Sequence, residues 1–266
     1  MTTQSSNKAK IARRVVEVLE FFDEEHPQAT VMDIVRRYDR PQSSTSELLC
    51  NLVELGILYK DCQTRSYRPT PRAAMLGSMT QAPIIRDGKL FQLMDRLHSQ
   101  TGLTVAIFGL IGVDAQVFSC LTSKKARSRS FCDHFAGGVT ERLTDSAAGH
   151  LLLATLSRPR REGIVRRLNA ESNGNHRPYP EMLELMDVCE RHGQITGAAG
   201  FGIDGEICAA LLPSYVIDEP LAVGFVYEAT DNVDRDALAN TLKNNIGLIV
   251  ERDAERYSVT PLVAAA

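Results

Sequence analysis

The sequence predicts an α+β chain of two domains, a small helical one closed by a β-hairpin and a larger one built on antiparallel strands. Three observations predict it. Between Ile11 and Leu55, apolar residues recur at steps of three and four in segments bounded by helix-start and helix-stop residues. Beyond Thr104, strand-like runs and helical patterns mix without regular alternation, which favours antiparallel pairing over a doubly wound parallel sheet. At 266 residues and 44% hydrophobic content, the chain exceeds one average domain and can supply more than one core.

Ile11, Val15, Val18, Leu19 and Phe22 line one face of a first helix, and Pro27 lies beyond its end. Thr30 heads a T-V-M-D box, in which the hydroxyl and Asp33 can satisfy free N–H groups at the start of a second, short helix over Val31–Tyr38. Asp39, Arg40 and Pro41 break it. Ser44-Thr45-Ser46-Glu47 reads as a second capping box, opening a third helix through Leu48, Leu49, Leu52, Val53 and Leu55 that stops at Gly56. Ile57–Lys60 and Ser66–Pro69 are short extended runs around the polar loop Asp61–Arg65. Two short helices joined by a tight turn and followed by such a hairpin match a winged helix-turn-helix.

A net charge of −3 argues against a chain-wide electrostatic grip on nucleic acid, so any such contact must rest on a local patch. The charges are unevenly placed. Glu17–Asp33 holds six acids and no Lys or Arg, whereas Ile34–Arg72 holds seven basic residues against four acids. The DNA-facing candidates are Arg40, Gln42, Ser43, Ser44 and Ser46 at the turn and the start of the third helix, with Lys60, Arg65 and Arg68 on the hairpin. The cations suit phosphates, and the short neutral donors touch bases or phosphates without adding charge. Glu47 is read as the capping carboxylate at the positive end of the helix dipole, with acceptance from a cytosine amino group as the alternative. The same domain also fits a second role, packing on another protein with its Arg and Lys as a solvated face.

Ala73, Ala74, Met75, Leu76 and Met79 form a helical connector that breaks at Gln81-Ala82-Pro83. Leu90, Leu93, Met94 and Leu97 mark a helix ending near Gly102. Thr104–Ile111 and Gln116–Leu121 flank Gly112–Ala115 as a hairpin. Helical patterns follow at Ser146–Leu156, Arg160–Leu168 and Glu181–His192. The glycine-rich piece Gly197–Gly205 reads as a loop, because it does not follow a strand and open a helix as a dinucleotide site would. Apolar runs at Ile207–Leu212 and Leu221–Tyr227 precede a long final helix over Asp234–Arg256.

The stretches R-R-V-V-E-V-L-E-F-F, P-Q-S-S-T-S-E-L-L-C-N-L-V-E-L-G-I-L-Y-K-D and R-S-Y-R-P-T-P-R, in that order, resemble the DNA-binding domain of IclR-type transcription regulators. T-G-L-T-V-A-I-F, L-T-D-S-A-A-G-H-L-L-L-A, G-E-I-C-A-A-L-L-P and D-E-P-L-A-V-G-F-V-Y extend the resemblance into that family's GAF-like effector domain, so that it covers residues 11–256. It implies a DNA-binding domain over 1–70, a linker helix over 71–86 that helps to pair two chains, and an effector-binding domain over 87–260. The effector pocket it implies comprises Phe131, Ala147 and Ala148 at a helix start, Cys208 on one strand, and Phe225 and Tyr227 on the next. A helix N-terminus with small side chains lets a carboxylate approach free N–H groups. Phe225 and Tyr227 stand where the family often has hydroxyls, and Gly197-Ala198-Ala199-Gly200 lacks an acid often found there. Both departures favour an aromatic or bulky acid over a short keto acid, or else side chains that fill the cavity.

The implied function is a ligand-responsive regulator, by preference a repressor, whose partners are a double-stranded DNA operator, a small organic acid and further copies of itself as a homodimer or dimer of dimers. The competing class is a GAF-like small-molecule or redox module acting through protein contacts. No cofactor or metal is expected. Cys50, Cys62, Cys120, Cys132, Cys189 and Cys208 are scattered without a C-x-x-C pair, and neither Cys132-Asp133-His134 nor His150 has the partner set that zinc or a cysteine nucleophile needs. The arginine-rich stretch Arg158–Arg167 reads as a solvated face or subunit contact. No apolar run reaches membrane-spanning length, and Thr2, Gln4, Ser5 and Asn7 do not make a secretory segment, so a cytoplasmic protein with no membrane partner is expected.

Overall fold

The computed structural model describes residues 3–23, 25–122, 135–172, 177–228, 231 and 233–257, and divides the chain into two compact units, Met1–Gln81 and Ala82–Ala266. The predicted α+β class is what it has.

The first unit contains α1 (Thr3–Glu20), α2 (Val31–Tyr38), α3 (Gln42–Glu54), the hairpin β1 (Leu58–Lys60) and β2 (Tyr67–Pro69), and the short α4 (Pro71–Met75). The first capping box forms as expected: the Asp33 amide donates to the Thr30 hydroxyl at 3.4 Å, and the Thr30 amide donates to the Asp33 carboxylate at 2.8 Å. Asp39 then adopts a left-handed conformation (φ 49°) that turns the chain toward α3. The second box does not form. Pro41, extended at φ −61°, is the N-cap of α3, so the helix starts two residues before Ser44, and the Ser44 and Thr45 hydroxyls both donate back to the Pro41 carbonyl. Glu47 lies one turn inside the helix on its exposed face. Gly56, at φ +69°, ends this segment where a side chain would be strained. Val18, Ile34, Leu49, Leu52, Leu58 and Tyr67 are buried together, one or two from each element, which is how a domain this small assembles a single core.

The stretch expected to be one linker helix is three pieces: α4, a 3-10 turn at Ser78–Thr80, and α5 (Pro83–Arg86). Gly77 at φ +72° interrupts it, and Pro83, which cannot continue a helix from the residues before it, begins the last piece.

The second unit continues with α6 (Lys89–Thr101), β3 (Thr104–Ile111), β4 (Asp114–Leu121), β5 (Thr140–Arg142), α7 (Ala147–Ala154), α8 (Arg158–Glu171), α9 (Tyr179–His192), β6 (Gln194–Gly200), β7 (Ile203–Leu211), β8 (Leu221–Glu228) and α10 (Arg235–Tyr257). The six strands form one antiparallel sheet in the order β5-β4-β3-β8-β7-β6. Gly197–Gly205 is therefore no loop. It supplies the end of β6, a two-residue turn with positive φ at Phe201 and Gly202, and the start of β7. Its small residues lack strand propensity, but they let β6 lie close to α7: a Cβ at Gly197 would sit 3.4 Å from that of Ala147.

Each face of the sheet has its own core. On one, Phe108, Val117, Ile207, Ala209, Ala222 and Val226 meet α7, α8 and α9; on the other, Val105, Ile107, Cys208, Val223, Phe225 and Tyr227 meet α6 and α10. The two-residue periodicity of the strands sorts consecutive positions of β7 and β8 between the two.

Candidate functional site

In the first unit the predicted DNA-facing residues divide by what else they touch. Gln42 and Ser43 are exposed in the first turn of α3, and Ser46 is half-buried one turn on. Ser44 is already engaged, donating to Pro41 and accepting from the Arg14 guanidinium at 3.2 Å. Arg40 is held by Glu17 of α1 in a two-point ion pair, Nη2 at 2.7 Å and Nε at 3.3 Å from the two carboxylate oxygens. Arg14 and Glu17, one turn apart on α1, thus pin the turn and the first residues of α3. The sequence reading missed both, because it took α1 only for its apolar stripe.

On the hairpin, Lys60, Arg65 and Arg68 are all exposed. Two of them are stacked on aromatic rings directly across the strand pair. Arg68 lies 5.0 Å from the centroid of Tyr59, its register partner, and Lys60 lies 5.5 Å from that of Tyr67. Arg65 takes a left-handed conformation at φ 55° in a loop closed by the Asp61 carboxylate, which accepts from the Gln63 and Thr64 amides and is held below the usual carboxylate range by those bonds. β1 packs against α3. The result is a polar helix start beside a hairpin that carries preordered cations.

In the second unit the five described effector candidates are not brought together. Ala147 and Ala148 are buried in the α7 face of the sheet, whereas Cys208, Phe225 and Tyr227 are buried in the opposite core. Strand parity separates them by the thickness of the sheet. Phe131 and Cys132-Asp133-His134 lie outside the described residues. The start of α7 is occupied from within: the Ser146 hydroxyl accepts from the Gly149 amide at 3.0 Å, and a Cβ at Gly200 would lie only 2.8 Å from that of Ser146. Phe108, Phe135 and Phe201 fill the core on that face with ring centroids 5.4 to 5.9 Å apart. His150 is a structural residue, its Nε2 2.7 Å from the Thr144 carbonyl, with burial lowering its pKa.

An acid the sequence reading did not use sits on β7. Glu206 accepts from the Tyr227 hydroxyl at 3.1 Å and pairs with Arg235 at the start of α10. Burial, then this carboxylate, push the Tyr227 phenol well above its usual range. Nearby, a cleft of about 410 Å³ opens between α9 and α10 over the edge strand β6, lined by Leu185, Val188, His192, Ile195, Arg235 and Asp236 among others. Cys189 and Cys208 also face it. Burial pushes the Cys189 thiol up to about 11 and raises Cys208, the opposite of what a reactive thiolate requires.

Residues 12–61, spanning most of α1 through β1, match the sequence model of the IclR helix-turn-helix domain. This segment is an IclR-type helix-turn-helix domain. The fold of the whole chain agrees with that of IclR proteins of known structure. An IclR homolog from Microbacterium hydrocarbonoxydans, complexed with 4-hydroxybenzoate, is 18% identical, with a TM-score of 0.54 over 89% of this chain and 96% of that one. An IclR transcriptional regulator from Alicyclobacillus acidocaldarius is 16% identical, with a TM-score of 0.57 over 91% and 97%. The Agobacterium tumefaciens repressor BlcR is 17% identical, with a TM-score of 0.50 over 91% and 96%. At these identities the likeness is one of fold. Comparison with curated protein sequences finds no match. Among the described residues, no helix is long and apolar enough to cross a membrane.

Proposed function

We propose that this chain is a ligand-responsive transcription regulator of the cytoplasm, working as a homodimer or dimer of dimers, with repression as its default action. Residues 1–70 read an operator and residues 87–260 sense a small organic acid. The observation that carries the reading is the head itself: an IclR helix-turn-helix in which Gln42, Ser43 and Ser46 open the exposed turn of α3 while Lys60, Arg65 and Arg68 stand on the adjoining hairpin. The donors suit base edges and the cations suit phosphates. Arg40 and Ser44 serve by fixing the turn. For the sensing half, the support is the shared fold with a protein complexed with 4-hydroxybenzoate; the resemblance puts the acid at the start of α7 beside Ala147 and Ala148, where binding has to displace the Ser146 cap.

The test is retardation of the DNA flanking the chain's own gene at graded salt. Binding that weakens steeply as salt rises, and weakens in Arg65→Ala and Arg68→Ala, is the expected result. No retardation at low salt, with both variants matching wild type, points instead to a module acting through protein contacts.

A further inference from the structure

The cleft at the sheet edge lies apart from the helix start assigned to the acid effector, and its lining has a definite chemistry. Among the described residues, β6 is the last strand of the sheet and pairs only with β7, so its outer edge has no strand partner there. α9 and α10 flank that open edge. Leu185, Val188, Ile195 and Ala239 give the cleft an apolar wall. His192, Gln194 and Thr196 add hydrogen-bonding groups, and at its rim Arg235, one edge of which is paired with Glu206, stands beside Asp236. Its volume, about 410 Å³, falls in the range of small-molecule sites.

We propose that this cleft binds a free α-amino acid with an apolar side chain. The charge balance selects the ligand class. Arg235 can take a carboxylate on the guanidinium edge that Glu206 leaves open, Asp236 can take the ammonium group, and the aliphatic wall takes the side chain. A simple carboxylic acid leaves Asp236 facing its anion, and a simple amine leaves the open edge of Arg235 without an anion, so each lacks one partner. The edge strand and Gln194 offer further hydrogen-bonding groups of the kind that read a zwitterion's head. This inference goes beyond the regulator reading and does not depend on DNA binding.

Calorimetric titration of the full chain tests it with three isosteric probes: L-leucine, 3-methylbutylamine and 4-methylpentanoate. L-leucine is expected to bind, and the amine and the acid each to bind about tenfold more weakly or worse, the loss that follows removal of one charge-assisted contact. Val188→Trp, at a position 39% exposed and therefore tolerant of bulk, fills the cleft and abolishes leucine binding while the unliganded melting temperature holds. Arg235→Gln and Asp236→Asn each weaken leucine by about tenfold. Leucine that gives no heat at millimolar concentration, leucine binding unchanged in Val188→Trp, or an acid that binds as well as leucine would each overturn the proposal. DNA retardation measured on the same preparations separates the two readings, since the cleft can fail while the head still binds DNA, and the reverse.

Discussion

Glu17→Gln is the most informative single change in the reading head. The Glu17 carboxylate takes two bonds from Arg40, at 2.7 and 3.3 Å, with side-chain exposures of 18% and 39%. Such a pair is neither fully buried nor fully screened, so its contribution to stability is about 1 kcal/mol, the upper part of the range for exposed pairs, because the geometry is two-pronged. Removing the carboxylate charge loses that amount and releases one cation at the turn before α3. Each additional phosphate contact steepens the slope of log K against log salt by about 0.9. Glu17→Gln is therefore expected to lower the denaturation midpoint slightly while steepening the salt dependence by about 0.9 per head. Arg40→Ala is expected to cost the same stability and leave the slope alone, because Arg40 is already neutralised, whereas Arg68→Ala lowers it by about 0.9. Fluorescence anisotropy of a labelled operator between low and moderate salt measures the slopes, and urea titration measures the stabilities. A shallower slope in Glu17→Gln, or a slope in Arg40→Ala that falls as far as in Arg68→Ala, would show that Arg40 touches phosphate from within its ion pair and that the reasoning is wrong.

Three further outcomes follow from the second unit. Burial holds the folded His150 pKa below its unfolded value, so the unfolded chain takes up the proton first and stability falls as pH drops below about 6.5, at up to about 1.4 kcal/mol per pH unit; urea midpoints at pH 7, 6 and 5 should converge for His150→Gln and diverge for wild type. Gly200→Ala adds a side chain at φ +70° and 2.8 Å from the Ser146 Cβ, and is expected to lower stability by about 2 to 4 kcal/mol, whereas Gly163→Ala, with nothing near it, should raise stability by about 1 kcal/mol; equal effects in thermal melts would count against the close approach. Arg161, 5% exposed, joins α8 to α9 through Asp187 and Glu190, but both acids are more than half exposed and can rehydrate, so Arg161→Met is expected to cost about 1 kcal/mol by urea titration rather than the 3 to 5 kcal/mol of a fully buried pair.

What the sequence made legible, and what it hid, has a physical basis in particular residues. The Thr30 box was readable because its two reciprocal bonds span three residues and nothing upstream competes. The Ser44 box has the same hydroxyl-x-x-acid pattern, yet Pro41 lies three residues before Ser44 and its carbonyl takes both the Ser44 and Thr45 hydroxyls. The wing hairpin, the hairpin of β3 and β4 and the long last helix were visible in periodicity. The strand at Gln194–Gly200 was hidden because Gly and Ala carry no strand signal; its identity comes from pairing with β7 and from space beside α7. The effector set failed for a different reason. Whether a residue on β7 faces α7 or α10 depends on a parity that no local pattern of near-continuous apolar residues reveals. The cleft was hidden because its lining comes from α9, β6, β7 and α10, which only the sheet topology brings together.

β6 belongs to both candidate ligand sites. Gly197 abuts Ala147 at the start of α7, while Gln194, Ile195 and Thr196 line the cleft. A ligand shifts a conformational balance only by its difference in affinity for the two states, so coupling between the sites requires an element that neither can move alone. β6 meets that requirement because its approach to α7 leaves little slack: at Gly197 a methyl group would just touch Ala147, and at Gly200 it would collide with Ser146. Gly197 does not itself line the cleft, yet Gly197→Ala presses on the strand that forms it. Its expected effect is a several-fold change in leucine affinity with the folded state otherwise intact. An affinity identical to wild type would leave the two sites thermodynamically independent, joined by a strand that is rigid without being shared.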